Sequence, residues 1–390
     1  MDLTYNEADE AFRTEFRGWL DANLPQEWRQ DESWRAKGVD ESFDLRRQWE
    51  ADKAKAGFAG IAWPTEFGGR GGTPGQKAIY DEEMARSNAP ITVNTLGLTF
   101  LAPTVMAIGT EEQKREIIKP LLHNEVIWCQ GFSEPGAGSD LAALSTRGEI
   151  DGDDFVVNGQ KVWTTHAMHA DRMFCLVRTS QESSRHRGIS MLLIDMTAEG
   201  VEARPLKQMT GNEEFGEVFL TDVRVPRSQV LGEVGSGWDV AMLLLSFERG
   251  SSAIGQYTRF RAELDEVAAV ARKRGRSGDP MLRQRLASVL TELELLRLHS
   301  FHILTKVEAG QQLGFESSMT KLQWSEAHQD LGEVYMDVLG YAGQEVPGRP
   351  TADLDPLQEM FLWSRSETIW GGSSQVQRNI VAERVLGLPR

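Results

Sequence analysis

Residues 151–165 read Asp-Gly-Asp-Asp-Phe-Val-Val-Asn-Gly-Gln-Lys-Val-Trp-Thr-Thr. Asp151-Gly152 and Asn158-Gly159 favour the positive φ angles of two-residue hairpin turns, and they begin seven residues apart. Phe155-Val156-Val157 between them and Lys161-Val162-Trp163-Thr164-Thr165 after them are rich in β-branched and aromatic side chains, so each reads as a short strand. Gly188 to Met196, Val201 to Leu206 and Glu217 to Pro226 read the same way. No helical period separates these runs, which predicts an antiparallel β region over about 125–234 rather than a βαβ series.

On either side of this region the period changes. Upstream, Phe12, Phe16, Trp19, Leu20 and Leu24 recur at helical spacing, and Thr110-Glu111-Glu112-Gln113 is a capping box that opens a helix reaching Leu122. Downstream, Leu286, Val289, Leu290, Leu293 and Leu296 share one face of a long helix. Leu331, Val334, Tyr335, Val338 and Leu339 share a face of another. The expected fold is α+β and multidomain: an N-terminal α-helical domain (1–124), a middle antiparallel β domain (125–234) and a C-terminal helical bundle (235–390).

Several function classes are excluded or disfavoured by the totals. A chain of 390 residues exceeds one compact core. The net charge of −16 argues against nucleic-acid binding. No apolar run reaches the roughly 18 residues that span a bilayer. Residues 1–7 show no basic segment followed by an apolar one, and the two cysteines, Cys129 and Cys175, form no CxxC, so a cytoplasmic setting is expected. The seven histidines include no HExxH, and no metal site is expected.

Three stretches carry candidate chemistry. In Trp128-Cys129-Gln130-Gly131-Phe132-Ser133-Glu134-Pro135-Gly136-Ala137-Gly138-Ser139-Asp140, Gly136 and Gly138 let backbone amides turn toward an anion, and Ser133 and Ser139 add hydroxyls. The plainer reading is a glycine turn between helix and strand. It is not a Rossmann fingerprint, because the third glycine and the βαβ context are missing. Phe247-Glu248-Arg249-Gly250 ends an apolar helix from Val240; a carboxylate among Leu243, Leu244, Leu245 and Phe247 is partly desolvated, which raises its pKa toward that of a general base. A Glu–Arg surface pair is the alternative. Thr368 to Arg378 interrupts a helical run with Gly371-Gly372, which is either a helix–turn–helix corner or backbone left bare for a ligand.

Taken together, segment 128–140, Asn158 to Thr165 and Gly371 to Ile380 resemble the acyl-CoA dehydrogenase family, in order and spacing, over essentially the whole chain. The resemblance implies FAD and oxidation of the Cα–Cβ bond of an acyl-CoA thioester to the trans-2-enoyl-CoA. A carboxylate takes the α-proton, the β-hydride passes to flavin N5, and an electron-transferring flavoprotein receives the electrons. It further implies that Gln130, Phe132 and Ser133 lie along the flavin ring with Trp163 and Thr165. Ser373 and Gln375 would touch the FAD nucleotide, and Gln284 and Arg272 would reach FAD across a subunit interface. Ser139, Arg249 and Gly372 fall on the substrate side.

Two departures from the family pattern matter. Its usual catalytic glutamate position holds Gly371, whose backbone N–H can still donate to the thioester carbonyl. A minority pattern places the glutamate before an arginine about 120 residues earlier, and Glu248 before Arg249 matches it. Glu248 is therefore the expected base. The space vacated beside the α-carbon suits branched or ring-bearing acyl groups, and the motifs are similar to a branch that includes steroid-degradation enzymes. The family's Arg-x-x-Phe-Gly is also missing; Arg272-Lys273-Arg274-Gly275-Arg276 stands in its place. Expected assemblies are a homotetramer or dimer, or a mixed tetramer in which this chain is a base-poor partner. An oxygen-using flavin oxidase or monooxygenase is the remaining alternative.

Overall fold

The computed structural model describes residues 4–30, 38–180, 185–248, 253–311, 313–314, 316–344 and 354–389. Helix α1 (Glu7–Asn23) starts where the Asn6 side chain accepts the Asp9 N–H at 2.9 Å. Its face of Phe12, Phe16 and Leu20 is buried, with the Phe16 ring 4.9 Å from both Phe58 and Tyr80. Helices α2 (Gln26–Gln30), α3 (Gly38–Lys55), α4 (Pro74–Arg86), α5 (Ala102–Ile108) and α6 (Glu111–Leu122) complete the N-terminal layer. The capping box forms at Thr110 and Gln113, and a second one, at Thr73 and Gln76, opens α4.

The middle region is one curled sheet: β1 (Trp128–Gly131), β2 (Arg147–Asp151), β3 (Asp154–Thr165), β4 (Arg172–Arg178), β5 (Ile189–Asp195), β6 (Val201–Leu206), β7 (Phe215–Pro226) and β8 (Val230–Leu231). The order is β6-β7-β3-β2-β4-β5-β8, with β1 also on β4. Most pairs are antiparallel, but β1 and β2 both meet β4 in parallel, β2 only at Arg147 opposite Arg178. Alternation sorts β4 and β5 by parity. Phe174, Leu176, Met191 and Leu193 face a core shared with Leu101, Val105, Ile118, Val240 and Leu244 of the helices. Met173, Cys175, Val177, Leu192 and Ile194 face Phe155 and Val157 of β3 and Val218, Leu220 and Val223 of β7. The central strands are thus buried on both faces, which explains their unbroken apolar composition.

Asp151-Gly152 turns the chain as expected: Asp151 pairs with Asp154 across the β2–β3 hairpin, and Gly152 has φ +61°. Asn158-Gly159 does not. It lies inside the single strand β3, at a register shift against β7. Asn158 and Asp222 exchange two hydrogen bonds of 3.0 Å there. Gly159 is required by proximity, since a Cβ would sit 2.7 Å from Thr146 Cα.

Beyond β8, α7 (Gly237–Glu248) packs its Val240 and Leu244 under the sheet. Helices α8 (Ala253–Lys273), α9 (Pro280–Glu308), α10 (Glu316–Leu339) and α11 (Pro356–Glu367) share a core that includes Phe260, Leu264, Leu293, Leu296, Trp324, Leu331 and Met360, and α12 (Ser374–Ile380) follows. Each such side chain, fully buried, stabilises by roughly 1.5–3 kcal/mol. Leu290 departs from the expected face and is 37% exposed. Among the described residues no helix is long and apolar enough to cross a membrane.

Candidate functional site

β1 ends beside β4, and the chain then leaves the sheet through Phe132, which is buried, and Ser133, which is half-buried. The Val162 N–H donates to Ser133 O at 2.9 Å, so the 130–133 stretch and the end of β3 are directly joined. Glu134 and Ala137 exchange backbone hydrogen bonds of 2.9 and 3.0 Å, closing a tight turn over Pro135-Gly136. Nothing lies within 4 Å of where a Cβ would stand at Gly136 or Gly138, so this backbone faces open space. Ser139 is exposed at its end.

Beneath this loop lies an ion pair that sequence reasoning missed. The Lys161 Nζ, fully buried, is 2.8 Å from Glu134 Oε1 and donates to Phe132 O at 3.3 Å. Glu134 also accepts from Ser145 N (2.6 Å), Ser145 Oγ (2.7 Å) and Thr146 N (2.9 Å). Burial pushes its carboxyl up, but the Lys161 ammonium and these donors outweigh it and hold the carboxyl at about 2. A buried pair with all its partners rigidifies what it joins. Here it joins Phe132, Glu134 and β3.

The second wall is the end of β3. The register slips between Lys161 and Thr164, and Trp163 is forced to φ +58°. Such strain in a non-glycine residue marks functional positions. Its effect is to turn the Trp163 indole out, 60% exposed, edge-on to Phe215 at 6.1 Å. Phe215 pairs with Thr165 in the sheet and stacks on Trp363 of α11. Thus α11 is brought against the same strand end that carries Trp163 and Thr165.

After α11 the chain turns through Thr368 to Ser373, closed by Ser374 N–H on Thr368 O at 2.9 Å. Gly371 and Gly372 have φ +64° and +87°. The Ser373 hydroxyl caps α12 through the Val376 N–H at 3.3 Å. Gln377 donates to Gly371 O at 3.1 Å, while Gln375 is exposed. The corner reading is met: the pair makes the turn, and it leaves Gly371 exposed.

Glu248 is the last residue of α7, one turn beyond Leu244, which packs in the core that holds Phe132. Of Glu248 only the backbone is described, and Arg249 lies outside the described residues. Arg272 and Gln284, both exposed, are not brought to this place. Arg272 lies 19 residues along α8 from Ala253, about 28 Å away at the helical rise. A cleft of about 520 Å³ is lined by Arg276, Asp279, Leu282, Arg285, Met336 and Asp337 among others; in it Arg276 pairs with Asp279 at 2.8 Å and Arg285 pairs with Asp337. The cationic run 272–276 was the visible signal for this cleft; the contribution of Asp337 was not legible. Among the described residues no group of three or more metal-ligating side chains forms.

A flavin dinucleotide fits these features. It needs a flat apolar and hydrogen-bonding seat for its ring, which Phe132, Ser133, Trp163 and Thr165 offer. It also needs bare amides or arginines for its phosphates. Ser374 Oγ and Gln377 Oε1, just past the glycine turn, are buried polar atoms without a protein partner among the described residues.

Comparison with known proteins agrees. Family models match end to end: acyl-CoA dehydrogenase N-terminal domain over 6–125, middle domain over 129–223 and C-terminal domain over 235–386. The chain is 42% identical to "Acyl-CoA dehydrogenase IpdE1" of Mycobacterium tuberculosis, over 98% of each chain. Among solved structures it resembles the "Tcur3481-Tcur3483 steroid ACAD" (TM-score 0.87, 32% identity, all of both chains). It is also similar to the ChsE4-ChsE5 complex from Mycobacterium tuberculosis (TM-score 0.85, 31% identity, all of both chains). The three-part fold and this likeness over the full length lead to one conclusion: the chain belongs to the acyl-CoA dehydrogenase family of FAD-dependent oxidoreductases.

Proposed function

We propose that the chain dehydrogenates the α,β bond of an acyl-CoA thioester to the trans-2-enoyl-CoA, with Glu248 as the α-proton base. The observation that carries the reading is the pairing of two features: a glycine turn that leaves Gly371 exposed, and a helix α7 that ends at Glu248 one turn beyond Leu244, itself in the core that holds Phe132. Gly371 keeps a backbone N–H for the thioester carbonyl and supports the charge that develops when the α-proton leaves. Glu248 receives that proton; Gly372, Ser139 and Arg249 border the CoA thioester. FAD, when bound, supplies the hydride acceptor for the β-carbon. Gln130, Phe132, Ser133, Trp163 and Thr165 orient its ring and exclude water; Ser373 and Gln375 meet its nucleotide portion.

The missing side chain at Gly371 leaves room for a branched or cyclic acyl group. One similar solved protein is named a steroid ACAD, which favours a steroid-derived group. Arg272 and Gln284 are both exposed, which supports their serving another chain in an oligomer. Exposed apolar side chains at Met281, Leu295, Tyr341 and Ile369 favour the same conclusion. Two similar structures pair two named proteins, which supports a mixed tetramer as well as a homotetramer. An electron-transferring flavoprotein is the proposed acceptor.

The test is anaerobic flavin bleaching by straight, branched and steroid-like acyl-CoAs, with wild type and Glu248→Gln. The variant should bind the reactive CoA and bleach about 10²–10⁴-fold more slowly. Equal bleaching rates remove Glu248 from the role of base. Flavin content near one-half per chain in the purified assembly would favour the mixed tetramer.

A further inference from the structure

The Ser374–Thr368 and Gln377–Gly371 hydrogen bonds close the glycine turn, but they do not fix where the turn as a whole points. Two adjacent residues at positive φ, without side chains, define a donor's direction only if something else fixes the flanking helix. That fixing comes from α10. Gln329 Nε2 donates to Thr368 Oγ1 at 3.0 Å. Lys321 donates to Glu367 O and lies 5.2 Å from the ring centres of both Trp324 and Trp370. Between Lys321 and Gln329 along the turns of α10 stands His328, 2% exposed.

Both ring nitrogens of His328 meet carboxylates from different helices. Nδ1 is 2.5 Å from Glu367 Oε2 at the end of α11, and Nε2 is 3.0 Å from Glu263 Oε2 on α8. The ring stacks on Phe260 at 3.9 Å. An ionised carboxylate only accepts, so two carboxylates on one imidazole require both nitrogens to carry protons. The charged groups around it are Glu263 and Arg259 from α8, Glu367 from α11 and Lys321 from α10 itself. The Arg259 guanidinium is 3.8 Å from Glu263 and 4.0 Å from Glu367. Burial pushes the imidazole down, but the two carboxylates outweigh it and lift it to about 9.

We propose that His328, held as an imidazolium between Glu263 and Glu367, is a positioning residue: it locks the last turn of α11 and so sets the aim of the Gly371 N–H four residues on. This rests on the reading of Gly371 as the thioester donor. His328 is buried against Phe260 and acts through Glu367. Its positive charge, rather than its volume, does the work, because a neutral ring leaves one of two buried carboxylates facing a lone pair. The sign of the pH effect follows. Because the folded value is raised above the ordinary 6.5, the lock is complete below that value and is lost as pH rises through about 9.

The test uses the flavin-loaded enzyme and an arylacryloyl-CoA, whose absorption shifts to the red when its carbonyl is polarised. His328→Gln should keep its flavin and bind this probe within about threefold. It should lose most of the red shift and about 10–100-fold in kcat, as for a displaced oxyanion donor, with KM little changed. Wild type should lose the same red shift as pH is raised through about 9, while His328→Gln stays flat. The double variant His328→Gln/Glu367→Gln, which removes the stranded carboxylate, should regain part of the shift. A red shift in His328→Gln equal to wild type, or a wild-type shift unchanged up to pH 10, overturns the proposal. No red shift in wild type at neutral pH overturns the Gly371 reading, and this proposal with it. If His328→Gln does not fold, the wild-type titration decides alone.

Discussion

Lys161→Met tests how firmly the buried ion pair holds the proposed flavin seat. The substitution keeps the length of the stem and removes the cation 2.8 Å from Glu134, leaving that carboxylate with Ser145 N, Ser145 Oγ and Thr146 N. Stranding one member of a buried pair costs about 3–5 kcal/mol. A second route gives a similar size. Glu134 is held at about 2 instead of 4.5, and at ~1.4 kcal/mol per unit this is about 3 kcal/mol of preference for the ionised form, most of it set by Lys161. A loss of ~3 kcal/mol lowers the melting temperature by several degrees. In wild type the depressed carboxyl contributes stability that is present above about 4.5 and lost as pH falls through about 2. In Lys161→Met the same buried carboxyl, without its cation, moves up. The deficit should therefore be largest at neutral pH and shrink toward pH 5, where protonation relieves it. Urea unfolding followed by tryptophan fluorescence at pH 7.5 and pH 5, with bound flavin read from visible absorbance, measures both effects. A deficit under ~1 kcal/mol at pH 7.5, or one equal at the two pH values, refutes the reasoning.

Two further outcomes follow from the sheet. Gly159→Ala places a Cβ 2.7 Å from Thr146 Cα, and neither backbone can move without disturbing β2. It should destabilise by about 1–3 kcal/mol in a denaturant midpoint, and a change below ~0.3 kcal/mol would show that the strands are not so close. Cys129 and Cys175 are fully buried, and burial pushes both thiols up, Cys175 to about 11. Neither should react with a thiol reagent at pH 8 in the native protein, and both should react in urea. Labelling of the folded protein at the unfolded rate would contradict their place in the core.

Local rules account for much of the fold. Thr110 with Gln113 caps a helix wherever it stands, because donor and acceptor are three residues apart. Phe12, Phe16 and Leu20 face one way because 3.6 residues complete a turn. The same logic made the 128–140 loop and the glycine corner at 371–372 legible as turns. It failed where the deciding neighbour is distant. Asn158-Gly159 carries a turn's composition, yet Thr146 and Asp222, brought across by pairing with β2 and β7, make it part of a continuous strand. Leu290 fits the apolar period of α9 and still faces outward, because period alone does not say how wide the partner helices are.

The amino-acid sequence by itself determined the order helical, β, helical and the family's motif set, since these depend on periodicity and on residues near one another in the chain. Only the tertiary structure decided which charges meet. Glu134 finds Lys161 across 27 residues, and His328 finds Glu263 and Glu367 across 65 and 39. Those encounters are set by helix crossing and sheet register, which no local pattern encodes.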